Sequence, residues 1–397
     1  MERTDIFISG GGLAGLIAAA AFGQAGFSVV LADPTPPVRE ADEDGSDLRS
    51  TAYLRPAQAL IERTGLWADL EPEATPLDVL EAVDTVGWPP QIRDRRAFQS
   101  DETGSNPFGW NLSNWQTRRV LTDRISKLPQ VDLRLGTGFH SVVQRETEAI
   151  VRLADGSRLR CRLAIGADGR ASPLREAAGI DVDITRYGQK ALAFIATHDL
   201  PHGNVSTEIY NEGGAFTLVA AQDVNGHPAS AVVWMNTGAR ALDLLAMEDA
   251  AFEETMTLRS CGLFGALKLA SARRIWPVVT QRSKALTAQR VALIAEAAHV
   301  LPPIGAQGLN TSLQDVAALL RLAEDAPDQL GSATMLDAYG KARARDIAAR
   351  ARVIDLFNRV CTSGDPRVQD LRLTGLRAVH GIAPLRQAVM RAGLGAE

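Results

Sequence analysis

The stretch DIFISGGGLAGLIAAAAFGQAGFSVVLAD, residues 5–33, decides the fold of this chain. Its residues 5–9 have the apolar run of a buried strand, and residues 13–24 form an alanine-rich helical pattern that Gly26 ends. Residues 27–31 then have the pattern of a second strand. A strand, a helix and a strand in this order predict a βαβ unit, the first part of an α/β fold.

The junction between the first strand and the helix matches the pattern GxGxxG. Gly10 permits a tight turn, Gly12 lets the backbone approach a pyrophosphate, and Gly15 lets the helix pack on the strand. The helix N-terminus attracts the anion, and Asp33 ends the next strand where an acid would hold ribose hydroxyls. The stretch therefore predicts a dinucleotide site, for either FAD or NAD.

Length and composition exclude several classes of protein. A chain of 397 residues exceeds one compact core, so we expect two connected domains. The net charge of -5 does not indicate a nucleic-acid partner, and three distant cysteines without CxxC spacing indicate neither a disulfide framework nor a cysteine zinc site. With no apolar run near about 20 residues and no leader pattern, we expect a cytoplasmic protein.

The rest of the chain differs from its first segment. Residues 149–169 pair two strand patterns around Asp155 and Gly156, which predicts a hairpin. Residues 191–234 are mostly strand-like without alternating helices, which predicts a separate antiparallel sheet. After Ser332 the pattern is almost entirely helical.

Two further motifs are glycine-rich turns that follow strands. The first is GADGRASPLR, residues 166–175, and the second is AEAAHVLPPIGAQGLNTSLQD, residues 295–315. Proline stiffens the second loop and glycine allows close approach, so the loop is shaped for contact with something flat.

Together with GxGxxG, these motifs resemble the three fingerprints of the group A flavoprotein aromatic hydroxylases, the para-hydroxybenzoate hydroxylase type. Within that family the chain is most similar to the ubiquinone-biosynthesis hydroxylases, through residues 47–67 and 276–315. The resemblance implies bound FAD, NADPH or NADH as transient reductant, and dioxygen as cosubstrate. It further implies hydroxylation of a prenylated phenol through a flavin C4a-hydroperoxide.

The resemblance also implies how the domains divide. We expect a mixed α/β (α+β) fold: a Rossmann-like FAD-binding domain, an inserted and mostly antiparallel β-sheet substrate domain, and a helical C-terminus. The expected ranges are 1–80, 106–182 and 272–330 for the FAD-binding domain, 81–105 and 183–271 for the substrate domain, and 331–397 for the helical region.

The family's flavin contacts carry over to matching positions of this chain. Arg49 and Arg118 would reach the flavin phosphate and ribityl region, with surface salt bridges as the alternative, and Pro303 and Gly305 would lie beside the ring. The expected cofactor-binding residues are Gly10, Gly12, Leu13, Ala14, Gly15, Asp33, Arg49, Arg118, Asp168, Glu296, Gly308, Leu309 and Asn310.

The chain departs from the family pattern at two places. Ala295 and Glu296 stand where the family usually has Gly-Asp, and Glu is one methylene longer than Asp. Gly305 and Ala306 stand in the opposite order to many related sequences. These changes put the contact geometry in question more than FAD binding itself.

Few side chains outside these motifs are expected to take part in the reaction. Tyr210, Phe216 and Trp234 are candidates for the substrate pocket, with ordinary core aromatics as the alternative. His299 is more simply explained by a local hydrogen bond than by catalysis, and we expect no metal site. The flavin therefore carries the chemistry, and the sequence names no catalytic side chain.

Other functions and partners stay open. A related flavin-dependent reductase and a non-catalytic FAD-binding member of a quinone-biosynthesis assembly are the alternatives; a halogenase ranks low because its tryptophan-rich motif and lysine are missing. Expected partners are the phenol, other ubiquinone-biosynthesis proteins and the inner face of a membrane. The basic amphipathic segment of residues 370–395 could contact that membrane or pack on its own domain, and packing is favoured.

Overall fold

The structure is a computed structural model and describes residues 1–41, 43–104 and 106–394. The strands of these residues are β1 (Glu2–Ser9), β2 (Val29–Asp33), β3 (Ser50–Leu54), β4 (Thr75–Leu77), β5 (Val79–Val86), β6 (Gln91–Gln99), β7 (Gly109–Ser113), β8 (Val131–Leu135), β9 (Phe139–Gln144), β10 (Ala149–Leu153), β11 (Arg158–Gly166), β12 (Val182–His198), β13 (Val205–Asn211), β14 (Gly214–Val224), β15 (His227–Thr237), β16 (Leu267–Leu269), β17 (Arg274–Ser283), β18 (Thr287–Ala288), β19 (Val291–Leu293) and β20 (His299–Val300).

Helices connect and cover these strands. The α-helices are α1 (Leu13–Gln24), α2 (Arg55–Arg63), α3 (Trp67–Leu70), α4 (Asn114–Ile125), α5 (Pro173–Ala177), α6 (Gly238–Ala246), α7 (Asp249–Arg259), α8 (Ala295–Ala298), α9 (Gln307–Asp325), α10 (Ala333–Thr362), α11 (Pro366–Gly381) and α12 (Ala383–Leu394). Short 3-10 turns lie at Glu71–Glu73, Ser100–Thr103 and Pro327–Gln329.

The first sheet is the dinucleotide-binding one. Its strand order is β18-β19-β11-β1-β2-β8, and β19, β11, β1, β2 and β8 are parallel. The predicted βαβ unit is confirmed, with α1 over the expected residues. Because α1 packs against α4 and α9 as well as the sheet, it is apolar on nearly all sides.

The second sheet is mostly antiparallel. Its order is β20-β17-β12-β15-β14-β13-β5-β6, and β13 pairs with β5 in parallel. Helices α6 and α7 cover one face through a core that includes Phe194, Phe216 and Trp234. The predicted Rossmann-like sheet, inserted antiparallel sheet and helical C-terminus are thus confirmed.

The predicted domain ranges stay a proposal. Strand β17 lies in the range 272–330, which we assigned to the FAD-binding domain, yet it pairs with β12 in the second sheet. The apolar pattern of β17 does not reveal this partner, because a strand's sheet depends on tertiary pairing. We propose the same division with β17 moved to the substrate domain.

The strand that precedes the glycine-rich motif of residues 295–315 is short; from its apolar sequence VALIA, residues 291–295, we expect it to reach Ala295. It ends at Leu293, and Ala295 begins the short helix α8 with a φ of 55°. The amide of Ala295 donates a hydrogen bond to Asp315 at 3.1 Å, so this backbone turns toward α9 instead of continuing the ladder.

The C-terminal helices pack on the second sheet through ion pairs. Arg372 of α11 pairs with the fully buried Asp84 of β5. On the same surface, Arg377 lies 2.6 Å from Asp94. No helix within residues 1–41, 43–104 and 106–394 combines the length and apolarity needed to cross a bilayer.

Candidate flavin and substrate site

A cavity of about 870 Å³ lies between the two sheets. Its lining includes the turn after β1, the turn after β11 and the loop before α9, so the three glycine-rich junctions meet at one place. Strands β12 to β15 form part of the opposite wall. The volume is within the range of about 300–1,000 Å³ that is usual for ligand sites.

The turn after β1 has the geometry that GxGxxG requires. Gly10 has a φ of 109°, and a Cβ on Gly15 would lie 2.0 Å from the Gly10 carbonyl oxygen. A Cβ on Gly12 would meet no protein atom within 4 Å. Gly15 therefore closes the helix onto the turn, whereas Gly12 keeps the backbone open toward the cavity.

Asp33 and Arg118 brace this turn. Asp33 accepts a hydrogen bond from the Gly11 amide at 2.6 Å. Arg118 donates through Nε to the Gly11 carbonyl at 2.8 Å and through Nη2 to the Thr35 carbonyl. Arg118 does not line the cavity, so it supports the turn rather than facing a ligand.

Arg49 lies on the cavity wall near the second sheet. Its Nε is 2.7 Å from an Asp47 oxygen, and its guanidinium stacks 4.9 Å above the ring of Trp276 on β17. Burial opposes the charge, but the ion pair with Asp47 raises the pKa of Arg49. The structure thus places a fixed positive charge beside the cavity.

Asp168 follows β11 and has a buried oxygen without a partner. Its Oδ2 accepts hydrogen bonds from the Ser9 hydroxyl at 2.8 Å and the Leu174 amide at 3.2 Å. Its Oδ1 is buried and unsatisfied within the described residues. Burial raises the pKa of Asp168 against these hydrogen bonds. Because buried polar atoms usually have a partner, Oδ1 marks a candidate position for a ligand group.

The loop before α9 is held in a strained shape. Gly305 and Ala306 have φ values of 60° and 56°. The Asn310 amide donates to the carbonyls of Ala52 and Ala306, each at 2.7 Å, and its oxygen accepts from the Leu54 amide at 2.9 Å. Asn310 is therefore a clamp between β3 and α9 and does not line the cavity.

Although Ala295 and Glu296 replace the usual Gly-Asp of the family, the Glu296 carboxyl lies at the cavity as expected for the acidic residue. Glu296 lines the cavity, and one of its oxygens is 3.8 Å from Arg170. His299 also lines the cavity, and its Nε2 is 2.7 Å from the buried Asp315. This hydrogen bond matches the simpler explanation that the sequence suggested for His299.

Most of the residues expected from the family resemblance meet at the cavity, although their contacts with a cofactor stay a prediction. The lining includes Gly10, Gly12, Leu13, Ala14, Asp33, Arg49, Asp168, Glu296, Pro303, Gly305, Gly308 and Leu309. Gly15, Arg118 and Asn310 lie one layer behind it, where they hold the turns that form the wall.

The three aromatic substrate candidates do not line the cavity. Phe216 and Trp234 are cross-strand neighbours with ring centroids 5.1 Å apart, and both point into the core under α7. Alternate residues of a strand face opposite sides, so Thr217 and Val233 line the cavity instead. Tyr210 packs against Phe357 of α10, beyond the end of the cavity.

Glu208, a buried carboxyl on the cavity wall, is not among the residues expected from the sequence. It lies two residues before Tyr210 on β13 and is 7% exposed. An acidic residue inside the strand STEIYN is a signal that could have identified it, since a glutamate is rarely buried without a role.

The site fits FAD on three observations. Leu13 and Ala14, in the first turn of α1, line the cavity. The amides of a helix's first turn have no partner within the helix, so a pyrophosphate would bind there. Gly12 and Gly308 leave space that a side chain would occupy, since a Cβ on either meets no protein atom. The unsatisfied Oδ1 of Asp168 supplies a buried acceptor for a ligand hydroxyl or amide.

Comparisons with known proteins agree with this geometry. The family model described as FAD binding domain matches residues 3–353. The ubiquinone hydroxylase UbiL of Rhodospirillum rubrum is 29% identical over 395 residues, with coverage of 98% of this chain and 89% of the relative. The 3-demethoxyubiquinol 3-hydroxylase of Escherichia coli is 23% identical over 397 residues, with 99% of each chain covered.

Among solved structures, the fold is similar to that of the p-nitrophenol 4-monooxygenase PnpA of Pseudomonas putida. The TM-score is 0.80 at 18% sequence identity, over 100% of both chains. The family match spans well over half of the chain, and FAD is the cofactor of this family. The chain therefore belongs to the FAD binding domain family and is an FAD-dependent monooxygenase of the group A flavin hydroxylase type, similar to the ubiquinone hydroxylases.

Proposed function

We propose that this enzyme hydroxylates the ring of a prenylated phenol in ubiquinone biosynthesis, with NADPH or NADH as reductant and O2 as cosubstrate. The names of its relatives support the pathway, since both UbiL and the Escherichia coli enzyme are described as hydroxylases of ubiquinone compounds. Both cover nearly the whole of this chain, so the likeness includes the substrate domain as well as the FAD turn.

The observation that carries the proposal is that the two walls of the cavity differ. One wall has the dinucleotide turn and the helix N-termini; the other has Leu77, Leu80, Phe108, Val219 and Val233. A planar apolar ring with a prenyl tail suits the second wall, because burying its surface is favourable by about 25 cal/mol per Å². We expect that wall to hold the phenol ring.

The residues of the chain contribute binding and the exclusion of water. Bound FAD supplies the redox chemistry, in which two electrons from NAD(P)H allow one atom of O2 to enter the ring and the other to leave as water. The loop of residues 302–308 and α9 would hold the flavin, and a helix N-terminus favours nearby negative charge by about 0.3–2 kcal/mol. The apolar sheet face keeps the reacting ring dry.

The test uses the purified holoenzyme with a short-chain prenylphenol and ¹⁸O2. We expect a catechol-type product that carries one labelled oxygen atom, together with oxidation of NAD(P)H that the phenol stimulates. A related reductase would oxidise NAD(P)H without incorporation of label, and a non-catalytic FAD-binding protein would show no stimulated oxidation. Either result would overturn the proposal.

A deletion strain tests the pathway and the ring position. We expect it to accumulate a prenylated ubiquinone precursor that lacks one ring hydroxyl, which mass spectrometry identifies. Complementation with the wild-type gene should remove this precursor, whereas a variant with Gly12→Ala should not. An unchanged quinone profile in the deletion strain would contradict a role in ubiquinone biosynthesis.

We also propose that the enzyme contacts the membrane mainly through the exposed apolar side chains of α12, a helix that also carries the exposed Arg391. Arg372, Arg377 and Arg386 are held by carboxylates of the chain itself, whereas Leu385 and Val389 are exposed. A double L385Q/V389Q variant should co-sediment less with phospholipid vesicles than the wild type. The exposed Val143 of β9, changed to Gln, is the control, and equal sedimentation of all three proteins would end this proposal.

The cytoplasmic location and contacts with other ubiquinone-biosynthesis proteins stay predictions. Fractionation of cells should place the enzyme on the inner face of the membrane if α12 makes this contact.

A further inference from the structure

The wall opposite the dinucleotide turn carries one carboxyl group whose role is unassigned. Strands β12 to β15 lie wholly within the described residues, and of the side chains that they contribute to the cavity lining only that of Glu208 is ionisable. Their other lining residues are apolar, apart from Ser206 and Thr217. A carboxyl group on an apolar wall needs a reason, because burying its charged form without a partner is unfavourable.

Glu208 points to the part of the cavity where the ring of a substrate would lie. Strand alternation puts Ser206 and Glu208 on the same, cavity-facing side of β13. Gly305, in the loop of residues 302–308 assigned to the edge of the flavin ring, lines the same cavity, and its backbone lies close enough to the Glu208 carboxyl to lower the pKa of that group. The Glu208 carboxyl therefore lies between the cavity wall formed by β12 to β15 and the loop of residues 302–308.

The hydrogen-bond partners of Glu208 fix its direction without neutralising it. The Tyr210 hydroxyl donates a hydrogen bond to Glu208 Oε2, and Tyr210 is itself held against Phe357. In the part of the chain that the structure describes, no Lys or Arg forms an ion pair with Glu208. Burial raises the pKa of Glu208, whereas the Tyr210 hydroxyl and the nearby Gly305 backbone act to lower it. Cys361 of α10 is a further titratable neighbour.

We propose that Glu208 is a catalytic residue that accepts the phenolic proton of the substrate, and that Tyr210 is a positioning residue that holds its carboxyl toward the cavity. This inference rests on the proposed function, since it requires a phenol in the cavity. A carboxylate that accepts the O–H proton makes the ring a stronger nucleophile at its ortho and para carbons.

The step balances as follows. The phenolic O–H bond breaks, its proton goes to Glu208, and the electron pair moves through the ring to the carbon that takes one oxygen atom derived from O2. The resulting hydroxycyclohexadienone loses its ring proton to water and takes the proton of Glu208 back on the carbonyl oxygen. The net reaction consumes the phenol, O2, NAD(P)H and one proton, and forms the dihydroxyarene, water and NAD(P)⁺.

The first test compares the wild type with E208Q on prenylphenols of increasing acidity. With an ordinary phenol, E208Q should lose about 100-fold or more in product formation, as is usual when a general base is removed. With a fluorinated phenol that is already ionised at the assay pH, the ratio of wild type to E208Q should approach one. A ratio that does not change along the series would overturn the inference.

Controls separate this inference from the proposed function. E212Q removes the same charge at an exposed position just after β13, and its ratio to wild type should be flat along the series. The FAD content of E208Q, from its visible spectrum, reports whether the fold is kept. If E208Q loses FAD, the test uses Y210F instead, because this variant keeps the carboxylate. Y210F should show a smaller loss of product formation than E208Q, and this loss should also disappear for ionised phenols. A wild type that hydroxylates none of these phenols would instead contradict the proposed function.

The second test measures binding without turnover. Equilibrium dialysis of the oxidised holoenzyme should show that the wild type prefers the phenol to its methyl ether by at least about tenfold, because hydrogen bonds to charged groups are strong. In E208Q this preference should fall to about twofold or less. Equal preference in both proteins would show that Glu208 does not contact the phenolic oxygen.

Discussion

The carboxylate of Asp315 on α9 accepts a hydrogen bond from the ring of His299 at 2.7 Å, and both side chains are almost completely buried. Its other oxygen, Oδ1, lies 2.7 Å from Nε of Arg343 of α10. The Ala295 amide donates to Oδ2, the oxygen that His299 also contacts. Asp315 of α9 thus links β20, which precedes the loop of residues 302–308, to α10. Burial opposes its charge, but His299 and Arg343 lower the pKa of Asp315.

Removal of this carboxylate should destabilise the fold strongly. In Asp315→Asn the guanidinium of Arg343 loses its fully buried counterion and keeps only the partly exposed Asp346. Breaking a buried pair by removing one partner costs about 3–5 kcal/mol. Asp346→Asn is the matched control, because Asp346 also pairs with Arg343 but is a third exposed, and its loss should cost about 1 kcal/mol or less. Urea unfolding of the FAD-saturated proteins measures both, and equal losses would contradict the central role of Asp315.

Alanine substitutions at two glycines near the turn after β1 should have different effects. Gly15→Ala places a Cβ 2.0 Å from the Gly10 carbonyl, so the turn must move, and we expect reduced yield and a lower unfolding temperature. Gly12→Ala meets no protein atom within 4 Å, so its fold should be kept while its affinity for FAD falls at least about tenfold. Fluorescence titration with FAD and thermal unfolding of the apoproteins distinguish the two effects. A G12A variant that binds FAD as the wild type does would contradict the assignment of this turn to the pyrophosphate.

The backbone geometry at these glycines could be predicted from the sequence because it depends on residues that are close together in the chain. A strand, a tight turn and a helix start lie within a dozen residues, and the absence of a side chain is visible in the sequence itself. The roles of Arg118 and Asn310 could not be predicted in the same way. Their family positions suggested direct ligand contact, whereas each is used up by backbone carbonyls of neighbouring segments.

The cavity wall formed by β12 to β15 was hardest to predict, for a physical reason. Whether Phe216 or Thr217 faces the cavity depends on which side of β14 the sheet presents, and a shift of one residue exchanges the two faces. Both faces of these strands are buried, one under α7 and one at the cavity, so hydrophobic alternation does not choose between them. The large rings fill the closed core, and small residues leave room for a ligand.

Replacing Ala295 by glycine should make the folded protein more stable. It holds a φ of 55°, which costs an alanine about 1–2 kcal/mol, whereas glycine loses about 0.5–1 kcal/mol more than alanine in chain entropy on folding. We expect Ala295→Gly to raise the free energy of unfolding by up to about 1 kcal/mol. Ala297→Gly, two residues later inside α8, should lower it by about 1 kcal/mol. Unfolding of both variants in urea checks the sign, and destabilisation by A295G would show that its methyl group packs better than its backbone strain suggests.

Glu208 should give the stability of the enzyme a pH dependence that one substitution removes. Since burial raises its pKa above the ordinary value of about 4.5, the folded state holds this proton more tightly than the unfolded chain does. Glu208 therefore contributes its full stabilisation of the folded state below pH 4.5, and this contribution is lost as the pH rises through the pKa of the folded state. The contribution is about 1.4 kcal/mol for each unit by which the folded pKa exceeds the unfolded one. The free energy of unfolding of E208Q minus that of the wild type should increase with pH across this window and then level off.

The same difference for E212Q should stay flat, because that carboxyl is exposed in both states. Urea midpoints of the FAD-saturated proteins between pH 4.5 and 9 measure the curve, and a difference for E208Q that falls with rising pH would mean that the folded site favours the carboxylate.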